Sequence, residues 1–228
     1  MTAPVSCIIP AWNEAARIGA VLDAALAHPA LAEVIVVDDA STDATAAIAA
    51  AQGARVLRQP QNGGKSAAVA RGLAAARGDL VLLLDADLVG LTAADLTRLL
   101  DPVLTGRADA ALSLRANAPR AWQALGLDYI SGERVMPRAL LAPHLAQMAA
   151  LRRFGLEVWL NDLWIAADLR LAVVRLPVQS PAKAAKHGLA AGLAGDFGML
   201  RDIGRTVGLR RAVAQMRAMR RMAARAGA

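Results

Sequence analysis

The stretch GDLVLLLDADL, Gly78 to Leu88, contains an unbroken apolar run from Leu80 to Leu84 that ends in two aspartates. A run this short, bounded by a glycine and by carboxylates, is typical of a central strand buried on both faces of an α/β sheet. Open parallel sheets bind their ligands at the edge formed by the carboxyl ends of the strands. The sequence therefore predicts that acidic groups emerge at a binding edge.

These two aspartates, Asp85 and Asp87, are separated by one residue. Carboxylate oxygens suit a hard divalent cation such as Mg²⁺ or Mn²⁺, and a cation held by few protein groups keeps positions open for substrate phosphates. The alternative is that the aspartates only open the turn before the helix that begins at Thr92. The choice between these interpretations depends on what else lies at the same edge.

The first hundred or so residues alternate between strand and helix patterns, which predicts a mostly parallel, doubly wound sheet with right-handed crossovers. Asn13 can cap the first helix and Glu14 suits its first turn, which is the purely structural interpretation of both residues. The predicted strands are Val5–Ile9, Val34–Val37, Arg55–Leu57 and Leu80–Leu84, and the helices that follow them end near Ala27, Gln52, Ala76 and Leu104.

Polar segments follow three of these strands, namely Pro10–Glu14, Asp38–Asp39 and Asp85–Asp87. They predict an acidic pocket at one sheet edge of a chain whose net charge is +7. The turn that ends in Lys65 is not a P-loop, because Gln59 stands where the first glycine is required. The helix that this turn opens can still attract a diphosphate through its N-terminus and Lys65.

Composition limits the class of protein. A chain of 228 residues fits one domain, and the basic excess favours anionic partners, which include nucleotides, phosphorylated substrates, nucleic acid and anionic lipid. The single cysteine, Cys7, excludes an internal disulfide and is expected to be a small core residue. We find no secretory signal pattern and no apolar run of about 18 residues, so we expect a cytoplasmic protein, with attachment to the inner membrane face left open.

Four motifs occur along the chain, CIIPAWNEAARIG, VIVVDDASTDAT, NGGKSAAVARGLAAARGDLVLLLDADL and SGERVMPRALL. In order and in spacing they resemble those of family 2 nucleotide-sugar glycosyltransferases of GT-A fold. Together they cover about two thirds of the chain, and the nearer relatives are small bacterial enzymes of the dolichyl-phosphate mannose synthase or glucosyl-3-phosphoglycerate synthase type.

The resemblance implies a GT-A domain over residues 1–205, with a nucleotide-binding half at 1–105 and an acceptor half at 106–205, followed by an amphipathic tail at 206–228. It implies that Asp85 and Asp87 hold the metal, with Asp87 the stronger ligand, and that Asp39 accepts from the base or sugar edge. The residues that it implies for binding the nucleotide-sugar are Pro10, Trp12, Glu14, Asp39, Asn62, Gly63, Lys65, Asp85 and Ala86.

The same resemblance implies an acceptor site beyond residue 106. Ser131, Gly132 and Arg134 would face an acceptor phosphate, since arginine chelates phosphate oxygens, although Arg134 can also be read as a solvated loop charge. Glu157 is the candidate base or acceptor-orienting group, with Asp162 second. An acceptor that is itself a phosphate would need no base.

The motif does not supply a third metal ligand in this chain. Enzymes of the family that it resembles place His and Arg where this chain has Ser180 and Pro181. His187 is the candidate replacement, and the alternative is that it contacts phosphate or solvent. The tail from about Thr206 is a basic amphipathic helix that places Leu209, Val213, Met216 and Met219 on one face. That helix can bind anionic lipid, dock on the domain or join a second subunit.

These observations lead to one main hypothesis, a metal-dependent glycosyltransferase that uses Mg²⁺ or Mn²⁺. It moves a hexose from a UDP- or GDP-sugar to a phosphorylated, polyprenyl-phosphate or other lipid-linked acceptor. An anionic membrane surface and a homodimer are allowed as partners, and nucleic acid is not expected. The alternatives are a nucleotidyltransferase, which the segment PAWNEAARIG disfavours, and a non-catalytic protein that binds a nucleotide-sugar.

Overall fold

A seven-stranded sheet forms the centre of the molecule, in the strand order β3-β2-β1-β4-β6-β5-β7. The structure is a computed structural model that describes residues 3–151, 155–180 and 208–226. The strands are β1 Val5–Ala11, β2 Leu31–Asp38, β3 Arg55–Arg58, β4 Leu80–Leu83, β5 Ala110–Arg115, β6 Arg134–Pro137 and β7 Leu171–Leu176.

Helices cover both faces of this sheet, and a short 3₁₀ turn lies at Ala142–His144. The strand-helix alternation predicted for the first hundred residues is confirmed, with boundaries that shift by a few residues. The helices are α1 Ile18–Leu26, α2 Thr45–Ala51, α3 Lys65–Ala75, α4 Ala93–Leu104, α5 Arg120–Leu125, α6 Arg138–Leu141, α7 Leu145–Ala149, α8 Gly155–Ala166 and α9 Leu209–Ala226.

The central strands are hydrophobic throughout because both of their faces are buried. Ile8 and Val81 belong to a core that includes side chains of α3, α8 and α9. Their neighbours Cys7 and Leu82 face the opposite core, which contains side chains of α1 and α4. Successive side chains of a strand point to opposite faces, so a strand between two helical layers is apolar at every position.

The first four strands are parallel, and the second half of the chain enters the same sheet. β1 pairs in parallel with β2 and with β4, and β2 pairs in parallel with β3. β6 then lies between β4 and β5 and is antiparallel to both. The predicted mostly parallel α/β sheet is confirmed, while the two proposed halves of the domain share one continuous sheet.

The first helix starts later than the sequence predicts. α1 begins at Ile18 with no side-chain cap, whereas Asn13 has a φ of +55° and its Oδ1 accepts a hydrogen bond from the Thr42 amide, 2.9 Å away. The Glu14 amide donates to Thr45 Oγ1 at 2.8 Å. Asn13 therefore does not cap the helix, which was one interpretation of the sequence, because its side chain joins two loops at the carboxyl edge of the sheet instead.

Helix α9 docks on the domain against α8. Ala212, Gln215, Met219 and Met222 form its buried face. Of the residues predicted on the apolar face, Met219 is fully buried and Met216 is partly buried against the same core, whereas Val213 is half-buried. The Tyr129 hydroxyl hydrogen-bonds Gln215, and Arg225 pairs with Asp168 at 2.6 Å. No helix in the described ranges is long and apolar enough to cross a membrane.

Candidate active site

A cavity of about 380 Å³ opens at the carboxyl ends of β1, β2 and β4, where the sequence predicts the acidic pocket. It contains every residue predicted to bind the nucleotide-sugar except Gly63, which is next to the lining residue Gly64. Trp12 is 55% exposed, and its large apolar side chain is part of the cavity wall. The lining residues are Pro10, Ala11, Trp12, Glu14, Asp39, Asn62, Gly64, Lys65, Ala68, Asp85, Ala86, Asp87 and Ser180.

Asp39 organises the glycine turn on one side of the cavity. Its carboxylate accepts the amides of Gly63 at 2.8 Å and Gly64 at 2.7 Å, and it also accepts from the Gln59 amide group at 2.5 Å. Hydrogen bonds to a charged acceptor in a buried site are among the strong ones. The structure therefore gives Asp39 a positioning role, and its predicted direct contact with a base or sugar stays a prediction.

Lys65 joins two carboxylates from distant parts of the chain. Its Nζ lies 2.6 Å from Asp85 Oδ1 and 2.9 Å from Glu157 Oε1, although these residues belong to different elements. Burial lowers the pKa of Lys65, but the two negative charges outweigh that effect and the net pKa is raised. Lys65 is therefore a firmly charged cation, and Glu157 belongs to the same group as the aspartate pair.

The acids at the cavity repel one another. Burial raises the pKa of Asp87, and the charge of Asp85 raises it further. The pKa of Glu14 is also raised, chiefly by burial and in part by Asp87, although a hydrogen bond from Arg17 opposes this. Ser180 Oγ donates weakly to Asp87, over 3.4 Å. The pocket thus concentrates negative charge that a cation would offset.

The fit to a divalent cation rests on this charge. Asp87 is partly buried among like charges, and its oxygens are the ligand type that Mg²⁺ and Mn²⁺ prefer. No group of three or more His, Cys, Asp or Glu side chains in the described ranges is arranged to hold a metal. Such cations are commonly held by one or two carboxylates together with substrate phosphates and water. Asp85 and Asp87 therefore fit a metal ion that binds together with a phosphorylated ligand.

Gly132 lies directly behind Asp85. A Cβ added at Gly132 would stand 2.4 Å from Asp85 Oδ2 and 2.6 Å from its Cγ, closer than real Cβ atoms come to other atoms. Only a glycine allows the carboxylate to rest there. Gly132 was predicted to face an acceptor phosphate, whereas the structure places it against the aspartate.

A buried cluster of charged residues contacts Asp85 through Arg115. We did not predict this cluster from the sequence. Arg115 is 5% exposed and lies 3.8 Å from Asp85 Oδ2, 3.2 Å from Asp128 and 3.8 Å from Glu133. Burial lowers the pKa of Arg115, but these carboxylates reverse the effect and raise it. A sequence signal did exist, because Arg115 ends the mostly apolar stretch 110–114, which Ser113 interrupts, as Asp85 ends its own run.

Arg134 and Ser131 do not face the cavity, which corrects their prediction as acceptor ligands. Both residues are fully buried. The Arg134 guanidinium donates to Asn161 Oδ1 at 2.7 Å and to the Ser131 carbonyl at 2.8 Å, and its carbon lies 4.9 Å from the Trp164 ring centre. Burial lowers the pKa of Arg134 to about 10. With its donors satisfied inside the protein, this arginine is a core residue.

Two further predicted residues are not brought to the cavity. Asp162 contacts Arg211 and Gln215 of α9, so the structure gives this second candidate base a role in holding the terminal helix. His187 lies outside the described residues. Trp164 is fully buried, as expected of a core residue, and Trp159 packs edge-on against His144 at 5.4 Å between ring centres.

Known proteins resemble this chain in sequence. Glucosyl-3-phosphoglycerate synthase of Mycobacterium tuberculosis (strain ATCC 25618 / H37Rv) is 40% identical over 91 residues, which are 36% of this chain and 28% of that protein. Dolichyl-phosphate beta-glucosyltransferase of Homo sapiens is 34% identical over 101 residues, which are 37% of this chain and 31% of that protein. The chain thus matches less than a third of the length of these curated relatives.

Solved structures of the Mycobacterium tuberculosis synthase share the fold. The complex with Mn²⁺ and uridine-diphosphate-glucose has a TM-score of 0.62 and 30% identity, covering 76% of this chain and 69% of that one. The complex that also contains phosphoglyceric acid has a TM-score of 0.66 and 26% identity, covering 99% and 80%. These similarities confirm the predicted GT-A fold.

A family model described as "Glycosyl transferase family 2" matches residues 6–153. That range contains the strand ends that build the cavity, the glycine turn and the aspartate pair. Because the match extends over more than half of the sequence, the chain belongs to glycosyl transferase family 2.

Proposed function

We propose that this protein is a metal-dependent glycosyltransferase that moves a hexose from a nucleotide-diphosphate sugar to a phosphorylated or lipid-linked acceptor. The observation that carries the proposal is the convergence of Asp85, Asp87 and Lys65 on one cavity at the sheet edge. The Mn²⁺ and uridine-diphosphate-glucose complexes of the similar synthase favour a UDP-sugar as the first donor to test. GDP-sugars remain the second donor class.

Asp87 would be the main ligand of Mg²⁺ or Mn²⁺, with Asp85 beside it. When bound, the cation supplies Lewis-acid stabilisation of the charge that develops on the nucleoside diphosphate leaving group. Ser180 orients Asp87 through its hydroxyl, and His187 is the proposed further ligand from the remainder of the chain. Gly132 and Arg115 keep Asp85 in place from behind.

Lys65 has two tasks in this proposal. Without donor it pairs with both Asp85 and Glu157, and its side chain is 34% exposed, so its ammonium can reach an incoming phosphate. Donor binding would draw the ammonium toward the diphosphate, where a fixed positive charge favours departure of the leaving group. Trp12 and Pro10 would cover the base, and Asp39 would hold the turn that borders it.

Glu157 is proposed to orient the acceptor. It is buried and its carboxylate pairs with Lys65 at 2.9 Å, which occupies that oxygen while the pair is intact. Release of Lys65 to the donor would free Glu157 to accept a hydrogen bond from an acceptor hydroxyl. A phosphate acceptor would be a nucleophile already, and Glu157 would then act through placement of Lys65.

The test is a donor turnover assay with UDP-glucose in the presence of Mn²⁺ or Mg²⁺. Asp87→Asn is expected to remove turnover, whereas Asp79→Asn, an exposed aspartate at the opposite end of β4, should keep it. Calorimetry of UDP binding distinguishes an enzyme from a binding protein. Tight UDP binding without turnover on any phosphorylated acceptor would favour the non-catalytic alternative.

The surface of α9 suggests where the protein acts. The apolar face of α9 is occupied by the domain, while Arg210, Arg217, Arg220 and Arg221 are exposed. We propose that this basic surface attracts an anionic membrane, which would bring a cytoplasmic enzyme to a lipid-linked acceptor at the inner face. Co-sedimentation with anionic vesicles, lost in high salt, tests this, and light scattering tests the proposed homodimer.

A further inference from the structure

Gln215 interrupts the apolar inner face of α9. The residue is 3% exposed, and the other buried residues of that face are Ala212, Met219 and Met222. A buried amide is tolerated only where its hydrogen bonds are satisfied, whereas an apolar side chain of similar size would pack there without that requirement. The hydrogen bonds of Gln215 therefore indicate what a glutamine supplies at this position.

The Gln215 side chain joins two parts of the domain. The Tyr129 hydroxyl donates to Gln215 Oε1, while Gln215 Nε2 donates to the Val158 carbonyl at 3.2 Å and to Asp162 Oδ1. Burial raises the pKa of Tyr129 to about 12, so its hydroxyl keeps the proton that it donates. A carbonyl and a carboxylate can only accept, so the amide nitrogen has to face α8. The orientation of the side chain is thus fixed.

On α8 the contact made by Gln215 lies next to the active site. Val158 directly follows Glu157, which is in the first turn of α8. Glu157 Oε1 is 2.9 Å from Lys65 Nζ, so the side chain before the contact reaches the cavity. Because the two residues are adjacent in one helical turn, a shift of the Val158 carbonyl moves Glu157 with it.

The other contact reaches the loop behind Asp85. Tyr129 lies in the loop between α5 and β6, and the same loop contains Gly132, where an added Cβ would come within 2.4 Å of Asp85 Oδ2. Lys65 Nζ lies between the two carboxylates, 2.6 Å from Asp85 Oδ1 and 2.9 Å from Glu157. The spacing of these carboxylates around the ammonium therefore depends on how the loop and α8 are held together.

We propose that Gln215 is a positioning residue of the active site, which ties α8 to the loop behind Asp85 and so holds Glu157 against Lys65. Gln215 is not among the described residues that line the cavity, so it acts through α8 and the loop. The family 2 match ends at residue 153, so α9 adds this contact from outside the matched range. The acceptor-orienting role of Glu157 rests on the proposed function, whereas the coupling to Lys65 does not.

The coupling is tested by urea unfolding without metal, donor or acceptor. Lys65→Met, Glu157→Gln and the double variant give the interaction between the two side chains as a double-mutant cycle. The cycle is repeated in Gln215→Met, which keeps the length of the side chain and removes its hydrogen bonds. We expect the coupling to fall to about half or less of its wild-type value, because Glu157 is no longer held against the ammonium.

Met222→Ala is the matched control. This variant truncates a buried residue of the same face and destabilises the docking of α9, but it should leave the coupling between Lys65 and Glu157 unchanged. Tyr129→Phe removes only one hydrogen bond of Gln215, so it serves as a second test if Gln215→Met does not fold, and it should lower the coupling in the same direction.

Turnover, measured at a temperature at which every variant is folded, gives a second readout. Gln215→Met should raise the KM for a phosphorylated acceptor several-fold, whereas Met222→Ala should keep the wild-type KM. Reduced coupling in Gln215→Met together with an inactive wild type would support this inference and count against the proposed function. Coupling that is equal in wild type, Gln215→Met and Tyr129→Phe would overturn the inference even if the wild type is active.

Discussion

Replacing Gly132 by alanine should disturb the donor site through a single contact. The new Cβ would stand 2.4 Å from Asp85 Oδ2, so the carboxylate has to move by about 1 Å to reach an ordinary contact distance. Gly132 does not have a positive φ, so an alanine there strains no backbone. The carboxylate is tied to Lys65 at 2.6 Å, and the shift would break this ion pair.

The size of the effect follows from these contacts. Overpacking a tight site costs about 1–3 kcal/mol. For a chain of this length each kcal/mol lowers Tm by about 2–4 °C, so we expect a fall of about 2–12 °C. Displacing a group that orients a metal ligand by this amount should weaken Mn²⁺-dependent UDP binding about 10- to 100-fold.

The assay is thermal unfolding together with calorimetry of UDP in the presence of Mn²⁺. Gly19→Ala is the matched control: it lies inside α1, where the nearest atom to a new Cβ is 3.6 Å away, and we expect it to be neutral or slightly stabilising. In an Asp85→Ala background the stability cost of Gly132→Ala should vanish. A Gly132→Ala protein with wild-type Tm and wild-type UDP affinity would refute the proposed contact.

Other changes test separate parts of the structure. Asp39→Ala should cost about 2–4 kcal/mol in urea unfolding, because it leaves two loop amides without their acceptor; a smaller loss than 1 kcal/mol would contradict this. Because the pKa of Asp87 is raised, its protonated form favours folding and this contribution is lost as pH rises through that pKa. Asp87→Asn should therefore raise the metal-free Tm at pH 7 and not at pH 3, while it removes Mn²⁺ binding. Thr92→Ala should lower Tm by about 2–4 °C through loss of the α4 capping box, and Met219→Ala should cost about 2–5 kcal/mol through a core cavity; unchanged melting of either would exclude those roles.

Local sequence patterns predicted much of this molecule because the strands that build the pocket are buried on both faces and end in polar residues. Asp39, Lys65 and Asp87 could be assigned to one edge, since parallel strands present their carboxyl ends together. Arg134 could not be placed in this way. Its burial depends on Asn161 and Trp164, which are far away in sequence and supply the contacts that satisfy the guanidinium.

The face of α9 illustrates the same limit. The helical period predicts that one side of α9 is apolar. Which residues become buried depends on contacts with the rest of the domain, and the buried face includes a glutamine, Gln215. Gln215 is accepted there because Tyr129 and the Val158 carbonyl complete its hydrogen bonds. Tertiary contacts of this kind carry no signal within a short window of sequence.

The position of β6 has a consequence for the order in which this protein is built. Because β6 pairs with β4, a chain that has been synthesised only as far as residue 130 has an open strand edge next to the future metal site. Gly132 has not yet been synthesised at that stage, so the Asp85 carboxylate lacks the contact with Gly132 that it has in the folded protein. A fragment of residues 1–105 should accordingly self-associate instead of binding nucleotide, and the donor site should mature only after the ribosome has released the second half.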